Sequence, residues 1–210
     1  MKRILGVTGG VGCGKSTVLS ILKEHYDAEI FMADDVGHEV FEKSTACYID
    51  IVSHFGERIM DDDGNIRRDA LADIIFNDVH EKEFLDDIVH PYVMKRIKES
   101  IAAWKERIDE IDKFDSGLHL FVLETALMFE SGADKFCDEL WGIFTEEDQR
   151  IDRLVTTRGY SEEKARSIFS AQLSESYLRR YCNRVILNNS SKSELEEMVC
   201  WMVTNMADFY

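Results

Sequence analysis

The sequence predicts an α/β protein built on a parallel sheet with helices on its faces. Short aliphatic runs alternate with segments of helical periodicity, which is the pattern of strand–helix–strand units. The first run, Lys2 to Thr8, feeds into a glycine-rich turn that opens a helix. With 210 residues, 45% of them apolar and 31% charged, the chain suits one domain, or one domain with a smaller lobe.

Each element has its own signal. Ser16 to His25 carries Val18, Leu19, Ile21 and Leu22 on one face and reads as a helix. Ala28 to Ala33 reads as a second strand, followed by Asp34-Asp35 and a helical segment over Val36 to Phe41. Tyr48, Ile51, Val52 and Phe55 have helical spacing and stop at Gly56. Asp61-Asp62-Asp63-Gly64-Asn65 is a turn by composition. Helical spacing then runs from Asp69 to Ile111, and the only proline, Pro91, predicts a bend or restart near His90. Leu118 to Leu123, Leu140 to Phe144 and Arg184 to Leu187 read as strands. Thr145-Glu146-Glu147-Asp148 reads as a capping box, and Ser191-Lys192-Ser193-Glu194 caps a last helix.

Charge excludes some functions. Against 25 bases stand 41 acids, a net charge of −16. Extended nucleic acids and anionic membrane surfaces are poor partners for such a chain. The apolar stretch after Met1 is too short for a signal peptide, and no run is long enough to span a membrane. The five cysteines are scattered without a C-x-x-C pair, which fits reduced thiols in the cytoplasm.

The strongest motif is Gly9-Gly10-Val11-Gly12-Cys13-Gly14-Lys15-Ser16-Thr17, of G-x-x-x-x-G-K-[ST] form. A loop that wraps a phosphate needs backbone N–H groups pointing inward and little side-chain bulk, hence four glycines in six positions. Lys15 adds a point charge, Ser16 offers a hydroxyl to Mg²⁺, and the next helix aims its positive end at the anion. The strand before and helix after supply the required context for a P-loop nucleotide site. An N-K-x-D guanine motif is absent, so small P-loop kinases remain. Cys13 sits inside the loop, where N–H groups and Lys15 are expected to favour its thiolate.

Further residues resemble one family, the dephospho-CoA kinases. Gly6 to Thr17 resembles its G-[LI]-T-G-G-I-G-S-G-K-S run, and Ala33 to Val40 its D-A-D segment. Gly64 to Leu71 resembles G-x-[LI]-[DN]-R-x-x-L, and His90-Pro91 its H-P pair. Leu123 to Glu130 resembles a D-x-P-L-L-[FY]-E strand end. Gln172 and Val185-Ile186-Leu187-Asn188 match the late A-Q and V-I-x-N signatures. Met32 replaces the first acid of D-A-D, Glu124 stands where Asp is common, and Ala126 replaces a proline. Arg153 and Arg158 are one residue further apart than the usual lid pair.

The resemblance implies ATP-dependent phosphorylation of the ribose 3′-hydroxyl of dephospho-CoA, with ATP and Mg²⁺ as cofactors. It implies a nucleoside-monophosphate-kinase-like P-loop NTPase fold over 1–210. The core is expected at 1–58, 116–145 and 182–210, a helical acceptor-binding insertion at about 59–115 and a lid at about 146–181. The loop residues Gly10, Val11, Gly12, Cys13, Gly14, Lys15, Ser16 and Thr17 would hold ATP, with Asn188 near the adenine. Asp34 would accept the hydroxyl proton or hold a metal-bound water, or else cap its own helix. Arg68 would bind acceptor phosphates, with His38 and His90 as weaker acceptor-site candidates. Glu124 would support Mg²⁺ alongside Ser16, or accept backbone N–H groups. Seven of the chain's 13 arginines fall between 150 and 184, and Arg153 or Arg158 would reach the transferring phosphoryl. Ile101, Trp104 and Ile108 read as packing stripe or as a wall of the pantetheine site. The expected partners are small molecules, with no nucleic acid and no membrane, for a monomer or small homo-oligomer. Another small-molecule or nucleoside kinase, and a nucleotide-binding module without turnover, remain as alternatives.

Overall fold

The computed structural model describes residues 1–112, 117–170 and 172–206. The expected core ends at 116 and 207–210 lie outside these residues. The chain divides into two compact units, Met1–Phe31 with Trp104–Tyr210, and Met32–Ala103.

The first unit is built on a five-stranded sheet of β1 (Lys2–Thr8), β2 (Glu29–Met32), β3 (His119–Glu124), β4 (Glu139–Phe144) and β5 (Arg184–Leu187), ordered β2-β3-β1-β4-β5. Strand β1 pairs parallel with both β3 and β4, and β4 pairs parallel with β5. The central strand is therefore the one that feeds the glycine loop. Its alternation decides the packing. Leu5 and Val7 face a buried cluster with Val122, Trp141 and Ile143 of the neighbouring strands. That cluster is closed by α1 (Lys15–Tyr26), through Val18 and Leu22, and by α9 (Lys192–Thr204), through Leu195, Val199 and Val203. The expected capping box at Ser191 and Glu194 opens α9. Between β4 and β5 lie three helices, α6 (Glu147–Arg158), α7 (Glu162–Ser170) and α8 (Glu175–Tyr181).

The second unit contains α2 (Ala33–Glu39), α3 (Ala46–Phe55), α4 (Arg68–Asn77) and the part of α5 (Val79–Ile111) up to Ala103. Its core joins Val40, Cys47, Ile51, Phe55, Ile59, Leu71 and Leu85. The acidic turn forms as composition predicts, with Asp61 Oδ1 accepting from the N–H groups of Asp63 at 3.1 Å and Asn65 at 2.7 Å.

The first boundary between the units falls at 31/32, and Cys47, Ile51 and Phe55 share their apolar cluster with Leu71 and Leu85. The second falls at 103/104, where the Trp104 ring packs 5.6 Å from Phe121 of β3. Other expectations change. Ile101, Trp104 and Ile108 are all buried, so they are packing residues and not a ligand wall. Helix α5 runs unbroken through Pro91, with buried side chains on both sides of it at Leu85 and Ile97. Thr145 does not cap α6; the helix begins two residues later, after Glu146, and the Thr145 hydroxyl is engaged elsewhere.

Candidate active site

The glycine loop leaves the C-terminal end of β1 and closes at Lys15, the first residue of α1. Parallel sheets place ligands at this edge. The helix is preceded by Gly14 at φ 92, a left-handed conformation that glycine adopts without strain. Its lack of a side chain is needed as well, since a Cβ there would lie 2.0 Å from Asn188 Nδ2.

Lys15 turns back over the loop. Its Nζ donates to Gly9 O at 2.9 Å and lies 3.5 Å from Glu124 Oε1, at the end of β3. Glu124 is buried at 4% exposure. A buried carboxylate beside an ammonium is a charge pair, and here it fixes the lysine's reach. Ser16 is exposed at the helix start.

The loop's carbonyls are tied from the far side. Asn188 Nδ2 donates to Cys13 O at 2.9 Å, and the Thr145 hydroxyl lies 3.0 Å from Cys13 O and 3.1 Å from Asn188 O. Arg153 donates to Gly12 O at 3.2 Å, to Thr145 Oγ1 at 3.3 Å and to Asn188 O at 3.0 Å. The side chains of Asn188 and Arg153 are thus committed to the loop backbone. Arg158 is exposed in the last turn of α6.

Arg150 also reaches the loop, with Nε donating to Val11 O at 2.9 Å and the guanidinium 3.8 Å from the Phe169 ring centre. Burial lowers its pKa from the ordinary arginine value, opposed by the Glu175 and Glu147 carboxylates. Sequence reasoning missed Arg150 and Thr145 as site residues. The arginine-dense stretch was the only signal for Arg150, and nothing local marks Thr145. The expected Cys13 thiolate is overturned, because the side chain is buried at 1% exposure. Burial raises its pKa and outweighs the nearby Lys15 ammonium.

The second unit holds the other candidates. Asp34 lies exposed in the first turn of α2, whose N-cap is Met32, so it is not the cap. His38 and Arg68 line one cavity of about 300 Å³, together with Asp35, Phe41 and Asn65. The Arg68 guanidinium stands 5.2 Å from the Phe41 ring centre. Asp34 and His90 do not line that cavity. His90 is half-buried on α5.

Among the described residues no group of three or more His, Cys, Asp or Glu forms a metal cage. The exposed Ser16 hydroxyl and the Glu124 carboxylate are oxygen donors of the kind Mg²⁺ takes, one or two at a time, beside waters and substrate phosphates. No helix among them is long and apolar enough to cross a membrane.

The profile of a family described as dephospho-CoA kinase matches residues 3–194. The dephospho-CoA kinase of Fusobacterium nucleatum is 33% identical over 196 residues, 93% of this chain and 94% of that one. The one from Moorella thermoacetica is 36% identical, covering 87% of this chain and 82% of its own. In structure, the Campylobacter jejuni dephospho-CoA kinase aligns over 99% of this chain and 98% of its own, at TM-score 0.71 and 22% identity. A shikimate kinase from Acinetobacter baumannii shares the fold at TM-score 0.50 and 14% identity, over 98% of this chain and 96% of its own. The match spans the glycine loop, the helical unit and all five strands, and the chain belongs to the dephospho-CoA kinase family.

Proposed function

We infer that this chain transfers the γ-phosphoryl group of ATP to the ribose 3′-hydroxyl of dephospho-CoA, giving CoA and ADP. The observation that carries the reading is the family match over residues 3–194, on a chain whose Lys15 is assembled over the loop.

The transfer is mostly positioning and charge stabilisation. The loop N–H groups and Lys15 hold the β- and γ-phosphates. The 3′-hydroxyl oxygen attacks the γ-phosphorus, the bond to the β–γ bridging oxygen breaks, and ADP leaves. Asp34 takes the hydroxyl proton or orients a water beside it. Arg68 binds acceptor phosphates, with His38 in the same cavity and His90 as a further acceptor-side group. With Arg153 tied to the loop backbone, exposed Arg158 is the better of the two expected lid arginines. Ser16 and Glu124 are the residues that would hold Mg²⁺, which supplies charge neutralisation on the phosphates. A cytoplasmic enzyme, monomeric or a small homo-oligomer and without a nucleic-acid partner, completes the reading. Its net charge of −16 supports the last point.

A coupled ADP-release assay with dephospho-CoA, shikimate and adenosine as acceptors tests this. Turnover with dephospho-CoA alone is expected; none with it would overturn the reading. Lys15→Ala should lower kcat/KM by roughly 10³-fold with the circular dichroism spectrum unchanged. Asp34→Asn should lower kcat about 10²-fold or more while ATP affinity holds. If ATP affinity alone suffered, Asp34 would belong to the metal site.

A further inference from the structure

Gln172 comes from the segment between α7 and α8 and touches the loop with its side chain. Its Oε1 accepts the Val11 N–H at 3.1 Å and lies 3.5 Å from Arg150 Nη2. Arg150 is itself oriented by Val11 O at 2.9 Å and by its stacking on Phe169 at 3.8 Å. Both groups lie directly against the loop backbone. A Cβ at Gly10 would stand 2.4 Å from Arg150 Nη2 and 3.1 Å from Gln172 Oε1.

An oxygen that meets a loop N–H and a guanidinium together has the surroundings a phosphate oxygen would have there. The amide oxygen carries only a partial charge, so a phosphate oxygen is the stronger occupant. Room to withdraw exists, since Gln172 borders a cavity of about 210 Å³ lined by Phe144, Phe169, Leu173, Glu175 and Leu178 among others.

We propose that Gln172 is a placeholder for a nucleotide phosphate. Its amide oxygen engages the Val11 N–H and Arg150 as a phosphate oxygen would. Nucleotide binding replaces that oxygen with a phosphate oxygen and hands Arg150 to the phosphate. Arg150 is then a second cation at the loop with Lys15, beside the braced Arg153. The proposal rests on the kinase reading only for the identity of the anion as ATP. It adds Gln172 as a positioning residue and links the lid segment to loop occupancy.

Isothermal titration with ATP and with adenosine, in the absence of acceptor, tests it on the full chain. Gln172→Leu removes the competing oxygen and should tighten ATP by about two- to tenfold, the worth of one hydrogen bond. Adenosine, which has no phosphate, should bind as before. Gln172→Glu puts a full negative charge beside Arg150 and should weaken ATP about tenfold or more. Arg150→Gln should weaken ATP by a similar factor and leave adenosine unchanged. Opposite signs for the two Gln172 variants are not expected of a fixed structural prop. If Gln172→Leu leaves ATP affinity unchanged, or weakens ATP and adenosine together, the proposal is overturned. A wrong acceptor assignment would leave these titrations untouched, whereas absence of ATP binding by the parent chain would remove the kinase reading itself.

Discussion

Asn188 and Gly14 form a matched pair at the base of the phosphate loop. The buried amide donates to Cys13 O and occupies the space a Gly14 side chain would need. Gly14→Ala should therefore cost more than about 1 kcal/mol in urea unfolding, from the left-handed φ and the clash together. Asn188→Gly in that background should recover part of the loss, giving a coupling a double-mutant cycle can read. The thiols offer a second check. Burial, with Asp134 and Asp138, pushes the Cys137 thiol up to about 12, and burial pushes Cys182 up to about 11. Unfolded thiols ionise near 9. Between 9 and these raised values the unfolded chain has lost protons that the folded chain still binds, so stability must fall as pH rises. Cys137→Ala should flatten the fall between pH 9 and 11 relative to the parent, measured by denaturant midpoint.

Helix starts and breaks separate what local sequence decides from what distant contacts decide. The cap of α9 is local: Ser191 accepts the Glu194 N–H while the Glu194 carboxylate accepts the Ser191 N–H, all within one turn. Ser191→Ala should cost about 1 kcal/mol on thermal unfolding. The Thr145 stretch has the same hydroxyl-x-x-acid pattern, yet its hydroxyl is drawn to Cys13 and Asn188, far along the chain, and α6 starts without it. No local pattern carries that information. Pro91 fails as a breaker for a related reason. Burial of Leu85 and Ile97 on either side outweighs one missing N–H, and α5 continues. Pro91→Ala restores a donor for the Asp87 carbonyl and should stabilise the chain by roughly 1–3 kcal/mol in urea. The strands were legible because buried parallel strands are short aliphatic runs, and the loop because phosphate binding restricts composition so strongly. Arg153 and Asn188 were legible as candidates but not their loop contacts, and Arg150 only as one of many arginines, since their partners come from other elements.

At the scale of the whole molecule, the charge of −16 must be reconciled with two polyanionic substrates. The cations of the nucleotide site are few and partly buried, whereas many acids, such as Asp61, Asp62 and Asp63, are exposed. Salt screens exposed charges far more than buried ones. Raising sodium chloride from about 0.01 M to 0.15 M, where the screening length falls from about 30 to 8 Å, should raise the melting temperature by relieving self-repulsion. Scanning calorimetry without nucleotide checks this; a falling melting temperature would mean attractive pairs dominate the surface. The same molecule-wide view gives the knot under the phosphate loop a temporal meaning. Gly12 and Cys13 are secured by Thr145, Arg153 and Asn188. During synthesis, Cys13 leaves the ribosome 132 residues before Thr145 and 175 residues before Asn188. A chain stalled before Asn188 should display the whole motif and still fail to retain ATP, so that nucleotide capture reports the arrival of Asn188 rather than of the motif.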